Sequence, residues 1–416
     1  MAEAGEILSQ ARATAGVRDS LTPSDRMTLA ARFVLKALDR LSVGRLTMRL
    51  PDGSMRVFGG EGSAPSADIE VKDWRFFRHI LLDGDIGFAE AYMEGFCDSA
   101  DLPGLITLLA ENEKALGRVA RTNPFQGLLL KLLHRRRDNS REGSKKNIHA
   151  HYDLGNEFYG LWLDPSMTYS SALYDGARNK PLEAAQTAKY ERILDQIGAK
   201  QGDSILEIGC GWGGFAETAA RRGMRVTGVT ISSKQLEFAR ERLERAGLAD
   251  RVDLQFRDYR DIEGRYDHIV SIEMVEAVGE RYWPDYFATL KRHVAPGGSA
   301  LVQAIVIADE LFEGYRRHPD FIQTYVFPGG MLLSPTSLRE QCRQAGLKIA
   351  ELYSFGLDYA RTLEAWLGRF DTVADQVAKL GFDERFRRMW RYYLAYCAAG
   401  FSTRRTDVLQ AHFRHI

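Results

Sequence analysis

The segment at residues 204–223 limits the fold of this 416-residue chain more than any other, and it reads SILEIGCGWGGFAETAARRG. A short apolar run leads into four glycines and then into a helical pattern, as in a strand, a tight turn and a helix. Glycines let the backbone turn sharply and approach a ligand closely at the carboxyl edge of a parallel sheet. The segment therefore predicts a nucleotide-binding turn in an α/β domain.

The glycine spacing differs from that of dinucleotide-binding turns. Those turns follow GxGxxG, whereas this one carries an acid inside the strand, Glu207, and the bulky Trp212 among its glycines. We expect Trp212 to crowd a pyrophosphate but to leave room for a nucleoside that carries an amino acid. The turn thus favours that kind of ligand.

The surrounding pattern predicts a doubly wound α/β fold from about residue 181 onward. Further strands are predicted at RVTGVTIS, VDLQFRDY, YDHIVSIE and SALVQAIVI. Polar side chains follow the second and third strands, where the hydroxyl groups and adenine of a nucleoside are expected. They are Thr230, Ser232, Gln235 and Asp258.

Composition narrows the class of protein. A chain of 416 residues is too long for one compact core, so two domains are expected. Lys+Arg and Asp+Glu both number 56, and this balance argues against a nucleic-acid binder. The four cysteines are scattered, with no CxxC pair and no His cluster at metal spacing, so no metal site is expected. No signal segment or long apolar run is visible, which predicts a cytoplasmic protein.

The first third of the chain predicts a small α+β domain without catalytic signatures of its own. A helical pattern at 24–41, a hairpin pattern at 46–57 and helical patterns at 74–109 follow one another. We assign residues 1–133 to a lipid-docking or oligomerisation domain, 134–147 to a linker and 148–416 to a catalytic domain. The linker carries six basic and two acidic residues. It is either a solvated connection or a segment attracted to anionic lipid head groups, at about 1 kcal/mol per basic residue.

Three acids crowd the end of the fourth predicted strand in SIEMVEAVGE, namely Glu273, Glu276 and Glu280. Carboxylates are costly to bury, so a chain that places them at the end of a core strand usually uses them. The alternative is the first turn of a solvated helix, where acids suit the helix dipole.

Longer strings connect the chain to a known family. HYDLGNEFYGLWLDPSMTYSSALY, ILEIGCGWGGFAE, GVTISSKQLEFA, FPGGMLLS and YSFGLDYARTLEAWLGRF occur in this order. They closely resemble the cyclopropane-fatty-acyl-phospholipid synthases and the mycolic acid cyclopropane synthases, which are class I S-adenosylmethionine-dependent methyltransferases. The resemblance is strong over about 145–416. It extends more weakly to the N-terminal domain through GDIGFAEAYMEGFCD.

The resemblance implies methyl transfer from S-adenosylmethionine to a cis double bond in an acyl chain of a membrane phospholipid. Attack of the alkene leaves a carbocation, and a base must remove a proton before a three-membered ring closes. The residues expected to line the cofactor site are Tyr169, Ser170, Glu207, Gly209, Gly211, Trp212, Gly213, Thr230, Ser232, Gln235, Asp258 and Tyr259.

The family's base is a bound bicarbonate, and its ligands are partly changed in this chain. By resemblance, Ser171 stands in place of a cysteine and Gln303 in place of a histidine, while Glu276 and Tyr359 are kept. Glu273 stands where synthases commonly have glycine. A second anion would repel a bound bicarbonate. We therefore expect these five residues to form the catalytic set. Glu273 is expected to replace bicarbonate, either as the base itself or as the countercharge to the carbocation, so bicarbonate is not expected as a cofactor.

Product and partners stay open at this point. Proton loss from the new methyl group gives a cyclopropane, whereas a hydride shift with loss elsewhere gives a methyl- or methylene-branched chain. The expected partner is a bilayer with unsaturated acyl chains, at the inner membrane face. A homodimer is a further expectation, as is a reductase if the product is a saturated branch. The competing interpretations are a methyltransferase for a small soluble acceptor and a non-catalytic lipid-binding relative.

Overall fold

A computed structural model describes residues 27–60, 65–117, 154–177 and 179–415. The predicted basic linker at 134–147 and the beginning of the predicted helix at 24–41 lie outside the described residues. The described chain forms two sheets, one of four strands and one of seven.

The N-terminal part is a four-stranded sheet with helices, in the strand order β2-β1-β3-β4. The hairpin prediction is confirmed, since β1 and β2 pair antiparallel. Leu46 lies opposite Phe58 on the buried face, whereas Met55 and Val57 lie opposite Arg49 and Thr47 on the exposed face. The elements are α1 (Leu29–Leu38), β1 (Arg45–Arg49), β2 (Met55–Gly59), β3 (Ser66–Val71), α2 (Arg75–Met93), β4 (Cys97–Asp98), α3 (Leu102–Glu111) and α4 (Glu113–Leu116).

The larger part is the predicted α/β fold. Strands β5 to β9 run parallel in the order β9-β8-β5-β6-β7, and β11 and β10 continue the sheet antiparallel beyond β9. Its strands are β5 (Ser204–Ile208), β6 (Arg225–Thr230), β7 (Val252–Phe256), β8 (Tyr266–Ile272), β9 (Val294–Ile307), β10 (Leu347–Ser354) and β11 (Thr406–His415).

Helices cover this sheet, and the connections at the carboxyl ends of the parallel strands are short, as in doubly wound domains. The helices are α5 (Asn156–Trp162), α6 (Leu182–Ile197), α7 (Gly214–Arg221), α8 (Ser233–Arg245), α9 (Trp283–His293), α10 (Asp309–Arg317), α11 (Pro335–Gln344), α12 (Gly356–Thr372), α13 (Ala374–Lys379) and α14 (Glu384–Ser402), with a π-helical turn at Ile322–Val326.

Helix α14 joins the two parts of the molecule. Buried Arg388 donates to the main-chain oxygens of Tyr92 and Cys97, each over 2.6 Å. One hydrophobic cluster runs from α1 of the N-terminal part through α12 and α14 of the larger part. The N-terminal part is therefore packed on the larger part.

Within the part of the chain that the structure describes, no helix combines the length and the apolar character needed to cross a membrane.

Candidate active site

A cavity opens at the carboxyl ends of β5 and β6, where the glycine-rich turn was predicted to bind a nucleoside. The turn adopts positive φ angles at Gly209, Gly211 and Gly213, which favour glycine. Most of the predicted cofactor residues line this cavity, namely Tyr169, Ser170, Glu207, Gly209, Gly211, Trp212, Thr230, Gln235, Asp258 and Tyr259.

Two predicted cofactor residues do not belong to the cavity lining. Gly213 precedes α7 at a φ of 81°, and a Cβ at this position would meet Ala239 of α8 at 3.1 Å. Ser232 is the N-cap of α8, because its hydroxyl accepts a hydrogen bond from the main-chain nitrogen of Gln235 over 3.3 Å. Both residues shape the helices that border the cavity.

Two carboxylates inside the cavity differ in their partners. Burial raises the pKa of Glu207 well above its ordinary value. Its Oε2 atom is buried and has no hydrogen-bond partner among the described residues. Asp258 instead accepts three hydrogen bonds from Arg260, two from the guanidinium group over 2.8 and 2.7 Å and one from the main-chain nitrogen over 3.0 Å. A nucleoside with an amino-acid tail fits this donor and acceptor set, since Glu207 has an acceptor to offer.

Glu273 belongs to the lining of this cavity and has an uncommon backbone conformation. It follows β8 at a φ of 49°, in the left-handed region that favours glycine. The cost of a side chain there is about 1 kcal/mol. Strained residues of this kind cluster at functional sites. The conformation also excludes the alternative in which Glu273 is the first residue of a regular helix.

The Glu273 carboxylate accepts three hydrogen bonds. The main-chain nitrogen of Ser171 donates to Oε1 over 2.9 Å, and Gln303 Nε2 donates to the same oxygen over 2.7 Å. The Tyr359 hydroxyl donates to Oε2 over 2.7 Å. Burial raises the pKa of Glu273, and these donors oppose the shift because they bind the charged form.

The three donors come from three separate elements. Gln303 on β9 lies next to Ile272 of β8 in the strand register. Tyr359 lies in the first turn of α12 and stacks on Phe401 of α14, with ring centroids 4.5 Å apart. Ser171 departs from the prediction, because its hydroxyl donates to the oxygen of Ala172 and only its main-chain nitrogen reaches Glu273. A main-chain donor does not depend on residue type, so the change from cysteine to serine does not remove it.

Glu276 has a different environment although it is three residues away. Its Oε1 accepts a hydrogen bond of 2.5 Å from the main-chain nitrogen of Ile305, and its buried Oε2 has no partner among the described residues. Burial raises the pKa of Glu276 to about 8, and the charge of Glu273 adds to the shift. At neutral pH, Glu276 is therefore mainly protonated. Glu280, the third acid, pairs at the surface with Arg316.

Several residues at the site escaped the sequence analysis. Gln186 and Lys189 on α6 contact Ser170, and Gln410 on β11 donates to Gln303 Oε1 over 3.1 Å. Arg260 holds Asp258. The signal for Lys189 was available, because it occupies the apolar face of α6 between Ala185 and Ile193, where a lysine is unusual.

The fold, the glycine turn and the carboxylates at the strand ends define a class I methyltransferase, and comparisons with known proteins agree. The sequence model of the mycolic acid cyclopropane synthetase family matches residues 139–411. The chain belongs to this family.

Individual relatives support this assignment. The tuberculostearic acid methyltransferase UfaA1 of Mycobacterium tuberculosis is 39% identical over 407 residues, which cover 93% of this chain and 92% of that protein. The cyclopropane-fatty-acyl-phospholipid synthase of Escherichia coli is 36% identical over 370 residues, covering 85% of this chain and 88% of the synthase. A crystal structure of the mycolic acid cyclopropane synthase CmaA1 with SAH and CTAB has a TM-score of 0.61 and 28% identity, covering 65% of this chain and 97% of that one. The protein is an S-adenosylmethionine-dependent methyltransferase.

Proposed function

We propose that this protein transfers a methyl group from S-adenosylmethionine to a double-bond carbon of an unsaturated acyl chain in a membrane phospholipid, with Glu273 in the role of the family's bicarbonate. One observation carries the proposal. The Glu273 carboxylate accepts hydrogen bonds from Ser171, Gln303 and Tyr359, at three positions that resemble bicarbonate-ligand positions of the family. Glu273 therefore takes up the donors that a bound anion would need.

The cavity and the acid pocket, which holds Glu273 and Glu276, have different roles in the reaction. Bound S-adenosylmethionine supplies the electrophilic methyl group. Tyr169 offers its ring to the cavity and is fixed by a hydrogen bond of 2.7 Å between its hydroxyl and that of Tyr393. An aromatic face stabilises nearby positive charge. Glu273, at the same cavity wall, places negative charge close to the carbocation that forms on the acyl chain.

Glu273 and Glu276 are suited to different roles because their surroundings separate their pKa values. Glu273 has three donors that stabilise its charged form, whereas Glu276 has one. We assign Glu273 as the base and Glu276 as a neutral acid. A protonated Glu276 avoids a second charge next to Glu273.

The timing of proton removal decides the product. Loss of a methyl proton to Glu273 while the cation is on the neighbouring carbon closes a cyclopropane. If a hydride first shifts from the methyl-bearing carbon, the cation moves to that carbon, and loss of a methyl proton leaves a methylene branch. We favour the branched product, because the relative named as a methyltransferase aligns over more of this chain than the named cyclopropane synthase. A saturated branch would additionally need a reductase as partner.

We assign access to the acyl chain to the N-terminal part, docked on the inner face of the membrane. Exposed apolar residues concentrate there, including Leu29 and Phe33 on α1 at 81% and 54% exposure. Exposed Arg32 and Lys36 on the same helix complement anionic lipid. We expect Phe33→Ser to weaken binding to anionic vesicles in a sedimentation assay. Phe256→Ser, at an exposed residue of the catalytic half, is the control and should bind as the wild type does.

Mass spectrometry of the lipids tests the proposal. Purified protein, labelled S-adenosylmethionine and vesicles of unsaturated phospholipid should give acyl chains that gain one carbon. The turnover should be unchanged after bicarbonate is removed by purging with nitrogen. A rate that collapses without bicarbonate and returns when it is added would exclude Glu273 as its replacement. A product only on water-soluble acceptors would favour the alternative acceptor class.

A further inference from the structure

Lys189 is a fully buried lysine that has no part in the reaction proposed above. Its side chain on α6 has 0% exposure. The Nζ atom donates to Ser170 Oγ and, over 2.8 Å, to Gln186 Oε1. Burying a lysine is costly unless the fold uses its charge.

Lys189 and Gln186 together hold the segment that leads to Glu273. Gln186 Nε2 donates to the main-chain oxygen of Ser170 over 2.9 Å, while Lys189 contacts the hydroxyl of the same residue. The next residue, Ser171, donates its main-chain N–H to Glu273. The residue before, Tyr169, lines the cavity. The two α6 side chains therefore fix Ser170. This residue lies in the chain between Tyr169, which lines the cavity, and Ser171, which donates to Glu273.

The charges around Lys189 are mainly carboxylates. Glu273 after β8, Asp164 after α5 and Glu207 on β5 all act on it, and the ring of Tyr190 lies 4.6 Å from its Nζ atom. Among the groups that act on Glu273, Lys189 is a cation, whereas Tyr359, Gln303 and Ser171 are neutral donors. Glu276 is a further carboxyl group that interacts electrostatically with Glu273.

We propose that Lys189 is a positioning residue for methyl transfer: its side chain fixes Ser170, and with it the main-chain N–H of Ser171 that donates to Glu273, and its charge supports the Glu273 carboxylate. This inference rests on the proposed role of Glu273 as the base. Lys189 touches neither the acyl chain nor the reacting carbon in this scheme. It acts through Ser170 and through its charge.

The direction of the electrostatic effect follows from the site. Burial lowers the pKa of Lys189 to about 7, and the neighbouring carboxylates oppose that shift. Burial raises the pKa of Glu273, and Lys189 is the largest influence that lowers it again. Removing the cation should therefore raise the pKa of Glu273 further, so that a higher pH is needed to ionise the base.

The pH dependence of turnover tests this proposal. Lys189→Gln keeps a hydrogen-bond donor and loses the charge, whereas Lys189→Arg keeps the charge. We expect the rise of turnover with pH to move upward by about one unit in Lys189→Gln. This corresponds to about tenfold lower turnover at a pH below both transitions. The rates should converge with that of the wild type at high pH. Lys189→Arg should stay closer to the wild type than Lys189→Gln does, and Lys200→Gln, at an exposed lysine, should not change the profile.

Other outcomes separate the two proposals. If Lys189→Gln lowers turnover equally at every pH, Lys189 has only a structural role, and the function of Glu273 is unaffected. If Glu273→Gln is as fast as the wild type, the proposed function itself fails. Infrared titration of the wild type, with Glu273→Gln subtracted, reports the carboxylate directly even if the Lys189 variants do not fold. If Lys189 supports the charge of Glu273, the Glu273 carboxylate should be ionised at pH 7. A protonated Glu273 at that pH would overturn the inference.

Discussion

Glu207 in the methyl-donor cavity and Glu273 in the acid pocket differ in how far their hydrogen bonds are satisfied. In the cavity, Glu207 keeps a buried oxygen without a partner among the described residues. In the pocket, both oxygens of Glu273 have donors from the protein. The cavity is thus suited to a ligand that completes its hydrogen bonds, whereas the charge of Glu273 is satisfied without any ligand. With Glu273 in its proposed role, the chain would keep the methyl donor of its family and use a base of its own.

Neutralising Glu273, the proposed base, tests this difference most directly. We expect Glu273→Gln to lower turnover by at least about 100-fold, as for the loss of a general base. The affinity for S-adenosylmethionine should change little, because the carboxylates expected to bind it, Glu207 and Asp258, are not altered. Steady-state rates and calorimetry measure the two effects separately.

A matched control lies in the same segment. Glu280→Gln changes an acid that pairs with Arg316 at the surface, and it should retain wild-type turnover. If the Glu273 and Glu280 variants are equally fast, Glu273 is not the base and the acid pocket is a structural feature.

The protonation of Glu276 gives the next largest effect. Its folded-state pKa of about 8 lies above the ordinary value of 4.5, so the folded state holds the proton longer than the unfolded one. Its favourable contribution to the free energy of unfolding is complete below about pH 4.5 and is lost as the pH rises through 8. Glu276→Gln cannot ionise. It should therefore gain roughly 3 to 4 kcal/mol over the wild type between pH 5 and pH 8.

Urea unfolding at both pH values measures this gain. Glu241→Gln, at an exposed helical position, should show no pH-dependent difference from the wild type. A Glu276→Gln variant whose advantage stays constant from pH 5 to pH 8 would mean that Glu276 titrates normally in the folded protein.

Sequence patterns predicted the cavity better than the acid pocket, and the reason is physical. Gly209 and Gly211 adopt positive φ angles, which favour glycine, so their spacing in the sequence indicates the turn and the fold around it. The acid pocket depends instead on individual hydrogen bonds between particular atoms. No pattern shows that Ser171 uses its main-chain nitrogen or that Gln410 orients Gln303, because these contacts join elements far apart in the chain.

The left-handed φ of Glu273 could not be seen in the sequence either. A resemblance located the residue at a glycine position, but only the structure gives the reason why glycine suits it. Lys189 is a different case, because a lysine on an apolar helix face is visible in the sequence and was overlooked. Buried charges in periodic apolar patterns are therefore worth testing as site residues.

A variant that returns the family's residues to the acid pocket tests the replacement of bicarbonate from the other side. Glu273→Gly removes the carboxylate and relieves the positive φ, while Ser171→Cys and Gln303→His return the family's residue types. The triple variant should depend on bicarbonate, with a rate about tenfold lower when bicarbonate is stripped, since a general base contributes at least that much. The product should shift toward cyclopropane in the lipid mass spectrum. A triple variant that is folded, binds S-adenosylmethionine and stays inactive at high bicarbonate would contradict the replacement.

The smallest expected effect concerns the cavity. Asp258 is paired with Arg260 over 2.7 Å, and it is one of the residues expected near the hydroxyl groups and adenine of the nucleoside. If it serves both partners, Asp258→Asn should weaken S-adenosylmethionine binding about fivefold, equivalent to about 1 kcal/mol. It should leave the pH profile of turnover unchanged, because Glu273 is not touched. Calorimetric titration measures the affinity, and Asp253→Asn, on the exposed side of β7, serves as the control. Equal affinity in both variants would mean that Asp258 only anchors Arg260, and that the adenine end of the cavity is read by other residues.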